Sequence, residues 1–285
     1  MFTIVTFTSP PLEEPYSGDS YHDLTCTLAV SYRPISALNL IGRWSRGFLA
    51  PNLNDAVVLK VSSSGVDVPT PGLRPEYGNS FEIGGKVRST RFDGSLFGFY
   101  SQLGDFIARK PGVYQGRTFF DENGNGVQDD DEFGIYQNCN VERSRIYGFE
   151  FENSLRIGSL WEMRTNCFWT WGENQTDQKP LSRIPPLMGM VAVRLQPTAF
   201  FWIEFFSRMA GAQRRLSSRD RDDSRIAADG TPSWVTFNLR SRVSMEKITV
   251  NITLVNLNDA TYKEHGSGIH SAGRSVNISL SYGLP

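Results

Sequence analysis

The chain has 285 residues, which suit one large domain or two small ones, and its 29 Lys and Arg residues nearly balance its 30 Asp and Glu residues. Charges so evenly matched give no basic patch, so no nucleic acid is expected as a partner. Aromatic residues make up 12% of the chain although its mean hydropathy is only -0.32, and no run of 18 apolar residues predicts a helix that crosses a membrane.

The cysteines predict neither cross-links nor a metal. Cys26, Cys139 and Cys167 have neither the even number nor the spacing of a disulfide framework or a zinc site. Cys26 and Cys167 fall on apolar strand faces, where a free thiol behaves as a small hydrophobic group. Residues 1–15 contain no basic segment and no A-x-A-like cleavage site, so they do not indicate a secretory signal.

Alternation of apolar and polar residues is the strongest pattern in the chain. About eleven strands are predicted from Leu24 onward, with Phe2–Phe7 as a candidate first strand. In one segment Phe149 and Phe151 alternate with Glu150, so the two faces of that strand differ in polarity. The same period of two recurs at residues 161–172, 201–208, 235–240, 248–254 and 276–282.

The lengths of the strands and connections favour a membrane barrel. The strands are expected to run to about 10–13 residues, longer than those of most soluble sheets and suited to a tilted membrane crossing. Short connections fall near residues 33–37, 89–93, 158–159, 196–198 and 244–245, and long ones at 48–77, 105–142, 173–186, 212–232 and 256–272. Short turns at one end and long loops at the other are typical of outer-membrane barrels, whereas the alternative, a soluble β-sandwich, has no reason to keep that order. The predicted fold over residues 1–285 is therefore all-β, an antiparallel transmembrane β-barrel of about 11–12 strands.

Two sets of side chains fit such a barrel. Polar residues expected to face the lumen, where they pair with each other or contact a plug, are Glu150, Glu152, Arg156, Glu162, Arg164, Glu204, Arg208 and Arg240. Tryptophans expected near the membrane interfaces are Trp44, Trp161, Trp171 and Trp234.

The longest external connection contains a calcium motif. Residues 121–132 match the EF-hand loop template at every defined position. The predicted Ca²⁺ ligands are Asp121, Asn123, Asn125, the Val127 carbonyl, Asp129 and Glu132, with Gly126 making the turn. The flanking sequence does not predict two helices, and Gln128 replaces the usual aliphatic residue. The hypothesis is one structural Ca²⁺ that stiffens the loop, and the alternative is an acidic, solvated loop that binds nothing tightly.

Signatures of enzymes are weak. His22, His265 and His270 lie in predicted loops, and the sequence between the last two is not a G-x-S-x-G motif, so no catalytic residue is predicted. Residues 214–223, with charges of both signs, are interpreted as a solvated external loop, which could alternatively contact an anionic ligand or lipopolysaccharide.

Several strings resemble the TonB-dependent receptors, a family of outer-membrane transporters. Residues 46–55 resemble the family's "GFRAPNL" stretch, residues 72–84 its "LKPE" loop and the strand after it, and residues 140–150 its "A-x-I-x-G-x-E" strand. Residues 256–262 resemble its "NL-x-D-x-x-Y" string, which is followed by residues 265–267 and 272–274 ahead of the last strand. These strings keep the family's order from about residue 38 to the C-terminus.

The resemblance implies a receptor in the cell outer membrane that takes up a scarce ligand such as a ferric siderophore, haem or cobalamin. The implied partners are membrane lipid, lipopolysaccharide and the small ligand, with TonB acting only through a plug domain. The sequence shows no plug and no TonB box, has about half of the roughly 22 strands that such transporters use, and follows Tyr282 with three further residues where the family ends on an aromatic. Met1 is therefore expected to lie inside the barrel region of a longer relative, and no ligand-contacting residue is assigned. The alternative function is a secreted, calcium-stabilised β-domain that binds or adheres, and a barrel enzyme is a distant third.

Overall fold

A computed structural model describes residues 2–7, 24–52, 59–62, 65–70, 72–121, 124–129 and 132–283. Side chains of residues 2–7 and 141–142 are not described. Of the residues discussed above, His22, the predicted calcium ligand Asn123, Met1 and residues 53–55 lie outside these ranges.

One large antiparallel sheet forms the body of the chain. Twelve strands, each hydrogen-bonded to the next, make up the main path of this sheet. In spatial order they are β1 (Phe2–Phe7), β2 (Thr25–Ile35), β3 (Leu38–Leu49), β6 (Glu76–Arg88), β7 (Phe92–Pro111), β8 (Ile135–Ile157), β9 (Trp161–Asn174), β11 (Met188–Leu195), β12 (Phe201–Ala210), β13 (Trp234–Met245), β14 (Ile248–Val255) and β15 (Ser275–Tyr282). The loops add β4 (Lys60–Ser62), β5 (Gly65–Val68), β10 (Lys179–Pro180) and a single helical turn, α1 (Ser218–Arg221). Among the described residues no ladder joins β1 to β15, so the sheet stays an open wall.

The order of strands and connections confirms the sequence prediction. Eleven strands of the main path follow Leu24, and the first strand of the path is Phe2–Phe7. Short turns connect the strands at one end of the sheet and long loops at the other. At one short turn Gly158 takes a φ of 66°, which glycine adopts without steric cost. The predicted strand lengths were too uniform. Strands β11, β14 and β15 have 8 residues, whereas β7 and β8 have 20 and 23. The last two continue beyond the membrane-spanning part as a paired hairpin and shorten the loop expected at residues 105–142.

The burial of the two faces of the sheet is the reverse of that in a soluble protein, because the apolar face is exposed and the polar face is buried. Cross-strand register places the apolar residues of successive strands on one face, where Ile83 and Ile278 are 74% and 71% exposed. The other face carries polar residues, of which Glu204 and Asn238 are 0% and 1% exposed. Large apolar side chains turned outward and buried charges turned inward are expected when the solvent outside is lipid. All eight predicted lumen residues lie on the inner face, and Cys26 and Cys167 on the outer one.

Aromatic side chains on the inner face cover glycines of the neighbouring strand. A Cβ built on Gly148 would collide with the Trp169 carbonyl and approach the Phe99 ring to 2.7 Å. Phe97 lies over Gly84 in the same way. These glycines let a ring lie flat against the adjacent backbone, which packs the inner wall without widening the ladder.

The main apolar core of the described residues lies among the loops. Val66 and Val68 of β5 pack against Ile135 at the start of β8, with Phe120 beside them. β5 runs parallel to β8 there, in register from Val66 opposite Ile135. This cluster fixes the base of the connection between β7 and β8, residues 112–134.

No helix among the described residues is long and apolar enough to cross a membrane.

Candidate functional site

A buried carboxylate organises the inner face. Glu204 lies directly opposite Arg194 on one side and Arg240 on the other in the two ladders of β12. Arg194 Nε donates to Glu204 Oε2 at 3.0 Å, Arg240 Nε donates to Oε1 at 2.5 Å, and Arg164 also donates to Oε2. Three guanidinium groups therefore share one fully buried carboxylate, and Glu162 lies 3.8 Å from Arg194.

Other inner-face charges also pair across strands. Glu82 accepts a hydrogen bond from Arg43 at 2.8 Å, and Glu152 accepts one from Ser95 at 3.1 Å. These contacts agree with the prediction that the lumen-facing polar residues pair with each other. Charge is nevertheless distributed unevenly over the inner face, because most of its arginines lie on strands β9 to β13, whereas Glu82, Glu150 and Glu152 lie on β6 and β8.

The long loops are joined by a second network of charged and polar groups around two buried carboxylates, here called the loop platform (Arg183, Asp220, Asp223, Arg225 and His265). Arg225 holds Asp223 with two hydrogen bonds of 2.7 and 2.8 Å, and Arg183 donates to the same carboxylate from another loop. Asp220 accepts the Arg183 backbone N–H at 3.2 Å. Hydrogen bonds from Arg225 hold the pKa of Asp223 well below its usual range. Asp223 is therefore ionised at neutral pH.

The interpretation of residues 214–223 as a solvated loop is only partly right, because a part of the segment is buried while Arg214, Ser218, Arg219, Arg221 and Asp222 are exposed. Asp220 is 1% exposed and Leu216 4%, and Ser217 caps α1 by accepting from the Asp220 backbone N–H. Asp220 Oδ2 in turn accepts a hydrogen bond from the Ser217 backbone N–H, so the segment forms a capping box. The burial comes from partners on a distant loop, which charge patterning along the chain does not show.

His265 belongs to the platform and has a structural partner. Its Nδ1 lies 2.9 Å from the Thr231 hydroxyl, which joins the loop before β15 to the loop before β13. Burial lowers the pKa of His265, although nearby Asp220 opposes that shift. The neutral imidazole is therefore the form that fits this site.

The β7–β8 hairpin is tied to the same loops. Tyr136 donates a hydrogen bond to Asp222 Oδ2 at 2.5 Å, and the Arg109 guanidinium lies 3.5 Å from the centre of the Tyr136 ring. Burial, together with Asp222, raises the pKa of Tyr136 to about 12. Lys110 and Asp177 form a further ion pair of 2.8 Å between the hairpin and the loop after β9.

The predicted calcium loop lies at the tip of this hairpin. The Gly126 N–H donates to Asp121 Oδ2 at 2.9 Å, and Gly126 has the φ of 77° that the turn requires. The Val127 N–H donates to Asn125 Oδ1 at 2.7 Å, and Asn125 Nδ2 donates to Asp129 Oδ2 at 2.8 Å. The Asp129 N–H reaches Glu132 Oε2 at 3.2 Å.

The flanks of this loop are strand-like, as expected from the absence of helix signals. Phe119 and Gly134 form an isolated antiparallel bridge, and the Phe120 N–H donates to the Phe133 carbonyl at 2.8 Å. The structure thus brings the two ends of the motif together, with Asn123 outside the described ranges. Within the part of the chain that is described, no three His, Cys, Asp or Glu side chains already converge on one point as metal ligands would.

One tryptophan departs from the predicted interface position. Trp44, Trp161 and Trp171 lie on the outer face, whereas Trp234 lies opposite Ala210 on the inner face. Its ring packs on Tyr262 with centroids 4.2 Å apart. Trp234 therefore anchors a loop and does not face the membrane interface.

An antiparallel wall with an apolar outer face, an ionic inner face, short turns and long loops defines the class of outer-membrane β-barrel proteins. The family described as "TonB dependent receptor-like, beta-barrel" matches residues 4–257. The chain belongs to this family, whose members are β-barrels of the outer membrane, and it supplies the barrel part.

Relatives by sequence and by structure agree with that assignment. A probable hemoglobin and hemoglobin-haptoglobin-binding protein of Haemophilus influenzae is 22% identical over 175 residues, which are 59% of this chain and 17% of the relative. The copper transporter OprC is similar in structure with a TM-score of 0.75 and 16% identity, over 95% of this chain and 42% of OprC. The siderophore receptor PirA of Acinetobacter baumannii gives a TM-score of 0.67 and 18% identity, over 91% of this chain and 41% of PirA. The chain thus spans well under half the length of these relatives.

Proposed function

We propose that the chain forms the barrel wall of an outer-membrane receptor that takes up a scarce ligand, a ferric siderophore, haem or cobalamin. The observation that carries this proposal is the family match across residues 4–257, on a sheet whose outer face is apolar and whose inner face is ionic. The names of the relatives support the ligand class, since they include a haemoglobin-binding protein and a siderophore receptor.

Partners follow from the two faces of the wall. The outer face would contact membrane lipid and the acyl chains of lipopolysaccharide. The inner face would contact a plug domain, through which TonB would supply energy. The Glu204 cluster suits such a contact, because its three arginines and one buried carboxylate leave positive charge on the wall. We assign the ligand-contacting surface to the side of the loop platform, whose buried ions fix the long loops relative to each other. No catalytic role is proposed.

The alternative, a secreted calcium-stabilised adhesion module, is not favoured by the structure. Such a module would leave Ile83, Ile278 and their outer-face neighbours in water, as an apolar patch far larger than soluble monomers tolerate.

The test uses the complete reading frame that contains this chain, expressed in cells without their own siderophore and haem receptors. Saturable binding and uptake of ferric siderophore, haem or cobalamin are expected, with uptake lost when TonB is deleted. A reading frame that encodes no plug, or cells that bind none of the three ligands above the empty-vector control, would contradict the transport proposal and leave the barrel assignment intact.

A further inference from the structure

We propose that the outer face of the wall binds the diphosphorylated headgroup of lipopolysaccharide at its loop end, with one acyl chain of the same molecule in an adjacent groove. The inference rests on the proposed contact of this face with lipopolysaccharide, and it gives that contact a place and a chemistry. Three neighbouring rows of side chains that run across β3 to β9 carry the argument.

The middle row is aromatic and marks the edge of the lipid. Each of its members lies directly opposite the next in the ladders, in the order Trp44, Phe81, Tyr100, Tyr147 and Trp171. Trp161 precedes Trp171 by ten positions on the same strand and the same face. Ten residues of a strand tilted by about 40° span about 26 Å of the membrane normal, which is the height of the apolar band of an outer-membrane barrel. The aromatic row therefore lies at the outer interface and Trp161 at the inner one.

The next row toward the loops is polar. Register places there, strand by strand, Arg46, Asn79, Gln102, Arg145 and Glu173. Among the described residues between the short turns and Gly104, every charge in the cross-strand pairs of the outer face belongs to this polar row or to Arg143, one row farther out. Charge on this face is thus confined to the level at which lipid headgroups lie.

Arginines give the polar row its sign. Glu173 accepts a hydrogen bond from Arg145 at 2.6 Å and lies 3.5 Å from Arg215, which reaches this row from the loop after β12. The Arg215 guanidinium also lies 3.8 Å from the centre of the Trp171 ring. Two guanidinium groups therefore share one carboxylate at the β8–β9 end of the row, and Arg46 supplies a further cation at the β3 end. Arginine binds phosphate through two parallel N–H donors, so such a row suits a phosphorylated headgroup.

A groove of about 570 Å³, lined mostly by apolar side chains, opens on the membrane side of the aromatic row. Phe81 and Ile83, which are 50% and 74% exposed, form part of its wall. Gly42 and Gly98 flank Ile83 in the ladders, and the absence of their side chains leaves the space open. A Cβ on Gly42 would meet nothing within 4 Å. A groove that begins beneath a row of arginines fits an acyl chain of the lipid whose phosphate those arginines bind.

The spacing of the arginines selects among lipids. Arg46 on β3 and Arg145 on β8 are separated by β6 and β7, so three strand spacings, about 14 Å, lie between them. A phospholipid with a single phosphate contacts only one of these two ends. The disaccharide headgroup of lipopolysaccharide carries a phosphate at each end, and the amides of Asn79 and Gln102 lie between the arginines, where its sugar hydroxyls would lie.

The experiment titrates the complete reading frame that contains this chain, purified in detergent, with diphosphoryl lipid A, and measures bound lipid by native mass spectrometry. Monophosphoryl lipid A and phosphatidylglycerol are the comparison lipids. Diphosphoryl lipid A should bind at least about tenfold more tightly than either, because only it engages both arginine ends of the row.

Variants locate the site. Arg46→Gln and Arg145→Gln should each weaken binding of diphosphoryl lipid A about tenfold and reduce its advantage over the monophosphoryl form. Arg91→Gln makes the same change at an exposed position in a short turn at the opposite end of the sheet, and should leave the Kd within about twofold. Gly42→Leu fills the groove, so it should weaken binding of both forms of lipid A equally and keep the preference for the second phosphate.

Equal affinity for the three lipids would overturn the proposal, and this comparison needs no variant. Losses in Arg46→Gln and Arg145→Gln no larger than in Arg91→Gln would also overturn it, because the lipid would then bind elsewhere. Heat-modifiable migration in SDS shows whether each variant has folded. Uptake of a ligand is not part of the measurement, so either result leaves the transport proposal standing, and a failure of uptake would leave this site standing.

Discussion

Glu204 and Arg240 face each other across the β12–β13 ladder, and Arg240 Nε donates to Glu204 Oε1 at 2.5 Å. The carboxylate is fully buried between this arginine and Arg194 on the other side. A charge so deep in the wall is stable only because several donors surround it, and each of those cations depends on it in return.

Removing that carboxylate should therefore destabilise the wall strongly. Glu204→Gln leaves three guanidinium groups without their shared counter-ion, and we expect the free energy of unfolding to fall by about 3–5 kcal/mol. The measurement is urea unfolding in detergent micelles. Glu150→Gln, at an exposed position on the same face, is the matched control and should change stability by under about 0.5 kcal/mol. Equal losses in the two variants would show that the cluster has no special role.

The same substitution should have different effects on stability at two neighbouring residues of β9 that face opposite sides of the sheet. Cys167 faces outward between Phe151 and Gly189, whereas Asn166 faces inward opposite Glu152. Cys167→Arg should cost about 2–4 kcal/mol if it lies near the bilayer midplane, because the cation must enter lipid. Asn166→Arg should be tolerated beside Glu152. The fraction folded into lipid vesicles measures both, and a reversed ranking would mean that the faces are assigned the wrong way round.

Substitution of glycine by alanine should destabilise the wall where the glycine lies against a neighbouring strand or ring and leave stability unchanged where the glycine lies in open space. Gly148→Ala would collide with the Trp169 carbonyl and with Phe99, so we expect a loss of about 1–3 kcal/mol in stability. Gly42→Ala meets nothing within 4 Å and should be nearly neutral. The comparison uses unfolding midpoints of the two variants in the same detergent. Indistinguishable midpoints would show that the Trp169 carbonyl and Phe99 both move aside freely.

The loop platform should loosen in mild acid. Burial lowers the folded-state pKa of His265, so the neutral form stabilises the loop above the ordinary His value of about 6.5, and this stabilisation is lost as the pH falls below it. Hydrogen exchange of residues 256–274, corrected for intrinsic rates, should rise between about pH 7.5 and pH 5.5. His265→Asn should abolish the rise, and His270→Asn, at an exposed position, should keep it. A rise that survives His265→Asn would assign the effect to another group.

Much of the wall could be predicted from the sequence because lipid imposes a period of two on every strand. That alternation locates the strands and therefore the order of the short and long connections between them. It also predicts that Glu204 and Arg240 point inward and that Cys167 points outward. The extensions of β7 and β8 could not be predicted in this way. Beyond the membrane both faces of a hairpin meet water or other loops, so the alternation that marks a membrane strand is no longer required.

The buried carboxylates of the loops could not be predicted from the sequence, for a different reason. Asp223 depends on Arg183, which lies 40 positions away on another loop, and nothing in residues 214–223 distinguishes a buried carboxylate from a solvated one. Trp234 faces inward, where its ring packs against Tyr262, and this too is a long-range contact. The calcium motif was visible in the sequence, but the hydrogen bond from the Gly126 N–H to Asp121 became apparent only from the fold.

The most direct test of the membrane wall is a spin-label scan of β9 in lipid vesicles, with single cysteines placed from Met163 to Thr170 and the native cysteines replaced. Labels at odd positions should collide with lipid-soluble oxygen, and labels at even positions with a water-soluble nickel reagent, so accessibility should alternate with a period of two residues. Uniform access of both reagents, or an alternation with the even positions in lipid, would contradict a barrel wall whose outer face is the apolar one.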